Sequence, residues 1–244
     1  MERSQDCFVK PRRCHGEPEI SGTVLFCVNP GEAQSVVQAA VKLGGQRHFL
    51  YNSSLVSIPA SKAYACGPAL GAPMAVMTLE KLIALGGRRF VVFGTCGALI
   101  RDLSLGEVLM PQWAVSSEGT SRHYPLSIPP RVSSRLHALV CASLIHSGIE
   151  VKAGGVWTTD APFRETRAQV VRLQQQAVAG VDMEFSALLT VAAFREVELV
   201  AVMVVSDLLS GDDWLPGFGA KAFKASVRRV SQSLIDFCVK DSHE

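Results

Sequence analysis

The chain has 244 residues and a formal charge of +2, and its composition is 48% hydrophobic and 19% charged. A chain of this length and composition can bury a sizeable core, and we expect a single α/β domain. The nearly neutral charge, without any basic block, argues against nucleic acid as a partner. No run of about eighteen apolar residues and no apolar leader occurs, so we expect no membrane partner and a cytoplasmic location.

The seven cysteines are scattered and odd in number, and several lie within apolar runs. This pattern is typical of reduced, buried thiols rather than of a disulfide framework. Cys7 and Cys14 are too far apart for a metal-binding knuckle, and His15 has no companion at ligand spacing. We therefore expect no metal site.

Apolar runs, glycine turns and helical spacing alternate along the chain. Residues 1–20 are polar and interrupted by prolines, which predicts an N-terminal arm before one domain over residues 21–244. The predicted strands cover residues 23–28, 48–51, 55–59, 90–93, 107–110, 113–116, 150–157 and 199–205. The predicted helices cover residues 32–43, 72–85, 131–147, 165–176, 180–194 and 220–239.

The stretch over residues 90–107 organises the rest of the chain. It begins as an apolar run typical of a buried parallel strand, and we expect that strand to stop at Gly94-Thr95-Cys96-Gly97. A turn with two glycines would leave N–H groups and one hydroxyl beyond the carboxyl end of the strand, an arrangement that suits an anion. The Pro30-Gly31 turn before a predicted helix offers N–H groups in the same way.

Two further segments add carboxylates, Asp182-Met183-Glu184 at a predicted helix start and Ser206-Asp207 at a predicted strand end. Cleavage of a bond between a sugar and a nitrogen base needs such groups, because positive charge develops on the sugar and the base must be protonated as it leaves. The same carboxylates also suit a helix dipole or a cap, and both interpretations remain open.

Seven short motifs occur in the order and approximate spacing of the nucleoside phosphorylase-I family, which includes hexameric purine nucleoside phosphorylases, uridine phosphorylases and related nucleosidases. They lie at residues 30–31, 67–73, 94–99, 118–124, 158–160, 181–184 and 205–207. The resemblance covers about residues 15–239. It implies a single-domain, three-layer phosphorylase/hydrolase-like fold with a mixed central sheet flanked by helices.

The resemblance also implies which residues bind the substrate. Glu184 matches the glutamate that binds the ribose 2′ and 3′ hydroxyls, and Met183 matches the methionine packed against the sugar. Asp182 lies where many members have a glutamate near the base. Asp207 matches the aspartate that gives purine-specific members a proton or hydrogen bond for the leaving ring. The base-stacking candidates are Phe163 and Tyr124.

For phosphate, the resemblance implies Gly31 and Thr95 from the same chain and Arg47 from a neighbouring subunit. His15 matches a histidine that reaches into the neighbouring site to hold the 5′ hydroxyl. The implied assembly is therefore a homo-oligomer, a dimer or a hexamer, with sites completed by a neighbour. The implied ligands are a small nucleoside and inorganic phosphate as co-substrate, with no other cofactor.

Two arginines that the family uses for phosphate are missing. After Pro30-Gly31 the chain continues Glu32-Ala33-Gln34-Ser35, and Val92 precedes the Gly94 turn. A valine supplies neither charge nor donors. Three interpretations remain: a phosphorylase acting on a purine nucleoside or uridine, with Arg47, Arg88 or Arg89 as replacement; a nucleosidase using water, with Glu32 as base; and a non-catalytic nucleoside-binding relative.

Overall fold

The structure, a computed structural model, describes residues 7–59 and 61–240. It contains ten strands: β1 (Val24–Cys27), β2 (Arg47–Leu50), β3 (Ser53–Ser57), β4 (Tyr64–Gly67), β5 (Arg89–Ala98), β6 (Val108–Ser117), β7 (Val151–Thr159), β8 (Val178–Asp182), β9 (Glu198–Leu208) and β10 (Leu215–Pro216). Its α-helices are α1 (Pro30–Lys42), α2 (Ala72–Ala84), α3 (Ser134–His146), α4 (Arg167–Gln175), α5 (Phe185–Phe194) and α6 (Lys221–Lys240). Short 3-10 turns occupy Ser121–His123 and Pro162–Arg164.

All ten strands belong to one mixed sheet in the order β10-β9-β6-β7-β8-β5-β1-β4-β3-β2. Because β5 also pairs with β9, the strands β9, β6, β7, β8 and β5 close into a ring, and the remaining central strands extend outward from β5. The β1–β5, β5–β9 and β7–β8 pairs are parallel, whereas β5–β8 and β6–β9 are antiparallel. The predicted mixed sheet is confirmed.

Helices cover both faces of the sheet, and each face has its own core. One core joins α2 and α5 to the sheet, and the other joins α1, α3 and α6 to the opposite face. Along β5 the two faces alternate with the period of two expected for a strand, so Val92 faces α2 and α5 while Phe93 faces α1 and α6. Within the described ranges, no helix is long and apolar enough to cross a membrane.

The strand β5 does not stop at Gly94 as the sequence predicts, but continues to Ala98. The glycines serve close approach instead of a turn. A Cβ at Gly94 would lie 2.8 Å from Val28 Cγ2, and a Cβ at Gly97 would lie 2.5 Å from Leu209 Cδ1. Because neighbouring side chains occupy the space that a Cβ would need, these positions require glycine while the strand continues.

Two other element predictions need correction. Residues 107–110 and 113–116 belong to one strand, β6, whose pairing with β7 shifts register between Pro111 and Trp113. Residues 180–182, predicted to open a helix, instead complete the buried strand β8, and α5 begins only at Phe185. A short apolar run that is buried on both faces has no periodicity to distinguish it from a helix start.

Candidate active site

The last residue of β8 is a buried carboxylate, Asp182, whose hydrogen bonds fix its position. It accepts hydrogen bonds from Thr158 Oγ1 at 2.6 Å and from the N–H groups of Glu184 and Phe185 at 3.1 and 2.7 Å. The Thr158 hydroxyl in turn accepts the N–H of Ser186 at 2.9 Å, so its own proton is directed to Asp182. Asp182 therefore joins the end of β7 to the start of α5.

Glu184 is 3% exposed and points toward the loop that precedes α2. Its Oε1 accepts the N–H of Gly71 at 2.6 Å, and Gly71 has a φ of +84°, which favours glycine. Burial raises the pKa of Glu184, and the charge of Asp182 raises it further. Asp182 has more donors, so it keeps the negative charge and Glu184 is the first of the two to take up a proton.

A third carboxylate, Asp207, lies near the end of β9 and opposite Gly97 in the β5–β9 register. Its Oδ1 accepts the Ser206 hydroxyl at 2.6 Å, and its Oδ2 accepts the indole N–H of Trp214 at 2.7 Å. On its other side Gly97 pairs with Val181, the residue before Asp182. The backbone of Gly97 therefore lies between the β8 and β9 carboxylates.

Two more titratable groups border Asp207. Glu165, half-buried after the Pro162–Arg164 turn, has a pKa raised to about 7, first by burial and then by the charge of Asp207. Burial also raises the pKa of the Cys96 thiol, and Asp182 and Asp207 add to the effect. Cys96 therefore remains a neutral thiol, since a thiolate there would be desolvated beside two carboxylates.

The expected phosphate residues Gly31 and Thr95 lie around Asn29. Thr95 donates its N–H to Asn29 Oδ1 at 2.9 Å and its hydroxyl to the same oxygen at 3.4 Å. The prediction of unpaired N–H groups here is wrong for Thr95, because Asn29 accepts its N–H. Gly31 lies in the first turn of α1, where N–H groups have no acceptor within the helix.

The candidate replacement arginines lie far from Thr95 within one chain. Arg89 pairs with Glu198 at 3.2 Å, and Arg88 donates to backbone carbonyls, both at the opposite end of β5, roughly 20 Å from Thr95 at strand spacing. Arg47 is exposed on β2, at the outer edge of the sheet and four strands from β5, which is roughly 19 Å.

The remaining sequence-predicted residues are placed as follows. Met183 is half-buried between Asp182 and Glu184. Tyr124 packs edge-on against Phe194, with ring centroids 5.4 Å apart, and burial followed by the charge of Glu80 raises its pKa to about 12. Phe163 is fully exposed, and His15 is exposed in the N-terminal segment. One chain thus brings together Thr95, Asp182, Met183, Glu184 and Asp207, with Gly31 beside Asn29.

Sequence reasoning missed five residues that shape this site: Asn29, Gly71, Thr158, Glu165 and Trp214. Asn29 directly precedes the Pro30-Gly31 motif, and Gly71 and Thr158 lie inside two of the seven motifs. The motifs therefore contained or bordered these residues but did not indicate what they contact. Trp214 lies in a loop seven residues after Asp207 and has no local pattern that signals a contact. Only the fold brings its indole to the carboxylate.

The ringed mixed sheet with carboxylates at its strand ends defines an α/β protein of the phosphorylase-like class. The sequence pattern of the phosphorylase superfamily matches residues 23–240, and the chain belongs to this superfamily. The predicted family membership is confirmed. The described ranges contain no group of three or more His, Cys, Asp or Glu residues arranged to hold a metal ion.

Proteins that are similar to this chain in sequence include purine nucleoside phosphorylases. A purine nucleoside phosphorylase DeoD-type of Bacillus cereus is 28% identical over 151 residues, and that of Bacillus thuringiensis (strain Al Hakam) is equally similar. Each match spans 60% of this chain and 64% of the relative's own length.

Solved structures share the fold over nearly the whole chain. The purine nucleoside phosphorylase of Toxoplasma gondii in complex with immucillin-H superimposes with a TM-score of 0.81 at 20% identity, covering 97% of this chain and 98% of that chain. The P knowlesi homolog of P falciparum PNP gives a TM-score of 0.77 at 16% identity, covering 98% of each chain. The predicted fold class is confirmed.

Proposed function

We propose that the protein cleaves the N-glycosidic bond of a purine nucleoside with inorganic phosphate, releasing the free base and ribose 1-phosphate. The observation that carries this proposal is the placement of Glu184 just after β8 and of Asp207 on β9, the two strands that flank Gly97. In the proposal, Glu184 faces the sugar and Asp207 faces the base. The purine nucleoside phosphorylases among the similar proteins support it.

On the sugar side, Glu184 has the chemistry to hold two ribose hydroxyls. Among the described residues, Gly71 is its one hydrogen-bond donor from outside its own loop, and burial with Asp182 nearby disfavours its ionised form. Ribose hydroxyls would supply the missing donors and stabilise the carboxylate. The ionised carboxylate then stabilises the positive charge that develops on the sugar as the bond lengthens.

On the base side, Asp207 supplies the proton. A phosphate oxygen forms a bond to C1′ while the bond from C1′ to the ring nitrogen breaks and its electron pair leaves with the base. A proton from the Asp207 carboxyl, or a hydrogen bond from it, neutralises the purine ring as it departs. Ser206 and Trp214 hold both oxygens of this carboxyl group in a fixed orientation.

Phosphate binding requires a neighbouring copy in this proposal. Gly31 and Thr95 provide the local contacts, and Arg47 of a second subunit supplies the guanidinium that one chain cannot bring to the site. Large exposed apolar side chains near Arg47, just before α2 and on α2 suit burial between subunits: Phe49, Tyr51, Leu70 and Met77. We therefore propose a homo-oligomer, a dimer or a hexamer, in which His15 also reaches the neighbouring site.

The domain assignment and location remain part of the proposal. We propose that residues 21–244 form the catalytic domain and residues 1–20 an arm that packs on a neighbour. Residues 1–6 and 241–244 lie outside the described residues. We propose a cytoplasmic enzyme that uses phosphate as co-substrate and no other cofactor.

Hydrolysis is the second candidate, and a specific observation favours it. Both Thr95 donors already bind Asn29, and Val92 is 1% exposed in the core where the family has an arginine. Glu32 is 6% exposed, and burial raises its pKa, which suits a carboxyl group acting as a base. In this version water replaces phosphate as nucleophile and ribose is released.

A nucleoside panel distinguishes these functions. Free base release would be measured from inosine, adenosine, guanosine, uridine and methylthioadenosine, with and without phosphate, while ribose and ribose 1-phosphate are followed separately. We expect release from purine nucleosides with ribose 1-phosphate only when phosphate is present. Ribose formed regardless of phosphate would establish hydrolysis. Nucleoside binding without any release would instead identify a non-catalytic relative.

The contribution of Glu184 has its own test. Glu184→Gln preserves the size of the side chain and removes its charge, so we expect kcat/KM for inosine to fall about 100-fold or more. Melting temperature would be measured alongside to verify folding. An unchanged rate in a folded Glu184→Gln variant would refute the assignment of this residue to the sugar.

A further inference from the structure

Asn29 lies between the two proposed phosphate contacts, Gly31 and Thr95, although it belongs to no motif of the sequence analysis. It is half-buried at the N-cap of α1, and its Oδ1 accepts both Thr95 donors, at 2.9 and 3.4 Å. A Cβ at Gly94 would lie 3.2 Å from the same oxygen. The glycine in β5 therefore leaves the room in which the Asn29 amide lies against the strand.

The hydrogen bonds determine the orientation of the amide. Thr95 N–H is a donor, so the atom it binds must be the amide oxygen and not the nitrogen. The Nδ2 group is bonded to the same amide carbon as this oxygen. Within the described part of the chain, Nδ2 has no hydrogen-bond acceptor, so its two N–H groups are available to a ligand between Gly31 and Thr95.

We propose that Asn29 is the residue that binds the nucleophile in this chain, with Nδ2 donating to a phosphate oxygen in place of the missing arginines. This inference rests on the proposed function, because it assigns the nucleophile end of the same site. An amide carries no charge, so it holds a phosphate dianion less strongly than a guanidinium does and accepts water equally well.

This assignment reconciles two features of the site that otherwise conflict. Thr95 lies where the resemblance places a phosphate contact, yet Asn29 accepts its donors. If the ligand binds Nδ2, Thr95 acts through Asn29, since it holds the amide by its oxygen and leaves the N–H groups for the ligand. Asn29 is then a specificity-determining residue, because a neutral amide admits either an anion or a neutral molecule, whereas a carboxylate at this position would repel an anion.

The test compares inorganic phosphate binding by isothermal titration calorimetry for the wild type, Asn29→Asp and Asn29→Ala. Asn29→Asp keeps an oxygen for Thr95 and suits the N-terminus of α1, so the fold is retained, while the second oxygen repels an anion. We expect phosphate affinity to fall about 100-fold or more in Asn29→Asp and about tenfold in Asn29→Ala. Asn52→Asp makes the same change in the exposed turn between β2 and β3, and we expect it to bind like the wild type.

The outcomes separate this inference from the proposed function. Phosphate affinity in Asn29→Asp within about threefold of the wild type would overturn the role of Asn29, and so would a wild type that binds no phosphate. If the wild type binds phosphate and Asn29→Asp does not, while neither releases base from any nucleoside, the proposed function fails and the role of Asn29 in binding stands.

Discussion

At the scale of single residues, the proposed base end of the site contains two carboxyl groups, Asp207 and Glu165. Ser206 and Trp214 hold Asp207 in place, whereas Glu165 has no hydrogen-bond donor or cation partner among the described residues. Its raised pKa means that the pair retains one proton near neutral pH. Arg167, which begins α4 two residues after Glu165, forms an ion pair at 3.2 Å with Asp213, the residue before Trp214.

A shared proton predicts a specific dependence of activity on pH. As the pH rises through about 7, Glu165 ionises, the pair loses its proton, and none remains for the departing base. We expect kcat/KM for inosine to decline above about pH 7 in the wild type and to lose this decline in Glu165→Gln. The pH–rate profiles of both proteins measure this decline. If kcat/KM of Glu165→Gln declined above about pH 7 as the wild type does, the assignment would be contradicted.

The same group also predicts that stability depends on pH, in the same direction as activity. The folded-state pKa of Glu165 lies above its ordinary value of 4.5, so between that value and about 7 the folded state binds more protons than the unfolded state. The free energy of unfolding therefore declines as the pH rises through this window. Urea unfolding at several pH values should show a smaller decline in Glu165→Gln, and an equal decline would show that Glu165 is not perturbed.

At the scale of secondary-structure elements, the site depends on how closely β8 and β9 approach β5 at Gly97. A Cβ at this position would lie 3.0 Å from Asp207 Oδ2 and 3.1 Å from Val181 Cγ1, besides its contact with Leu209. The glycine thus sets the separation between the proposed sugar and base ends of the site.

Gly97→Ala should therefore displace Asp207 as well as destabilise the fold. We expect a loss of about 1–3 kcal/mol in the free energy of unfolding from overpacking, and a fall in kcat that exceeds the effect of stability alone. Urea unfolding and inosine kinetics measure the two effects. Gly219→Ala is the matched control, because a Cβ there would meet nothing within 4 Å. If Gly97→Ala kept the kcat of the wild type, the displacement of Asp207 would have no effect on catalysis.

The elements also show what the sequence could predict. The strand at residues 90–93 and the amphipathic helix from Ala72 were predictable, because an apolar run and a 3.6-residue period signal them locally. The strand β8 was not predictable, because all five of its residues are buried and the run therefore shows no alternation of apolar and polar residues. Asp182, Glu184 and Asp207 were predicted from their motifs. The contact of Trp214 with Asp207 depends on tertiary structure and has no local signal.

At the scale of the whole molecule, the proposed site is incomplete in a single chain. Arg47 lies at the far edge of the sheet from Thr95, so a role in phosphate binding requires a second subunit. If neighbouring subunits share each site, two inactive variants can restore activity when they are mixed. A pair of subunits with different defects then contains one complete site, which a monomer cannot provide.

Mixing Arg47→Ala with Asp207→Asn subunits tests this sharing. We expect each variant alone to be nearly inactive, whereas subunits mixed after mild denaturation should regain up to about one quarter of the wild-type sites in a dimer. Phosphate-dependent base release measures the recovery, and light scattering confirms assembly. If the mixture is no more active than its components, Arg47 does not act in a neighbouring site.

The measurement that tests the central claim most directly is the rate of hypoxanthine release from inosine by wild-type protein and by Asp207→Asn. We predict that the wild type releases hypoxanthine, and that kcat falls about 100-fold or more in the variant while KM changes by less than about threefold, because the lost group acts on the leaving base. No release by the wild type would contradict the account, as would equal kcat values for the two proteins.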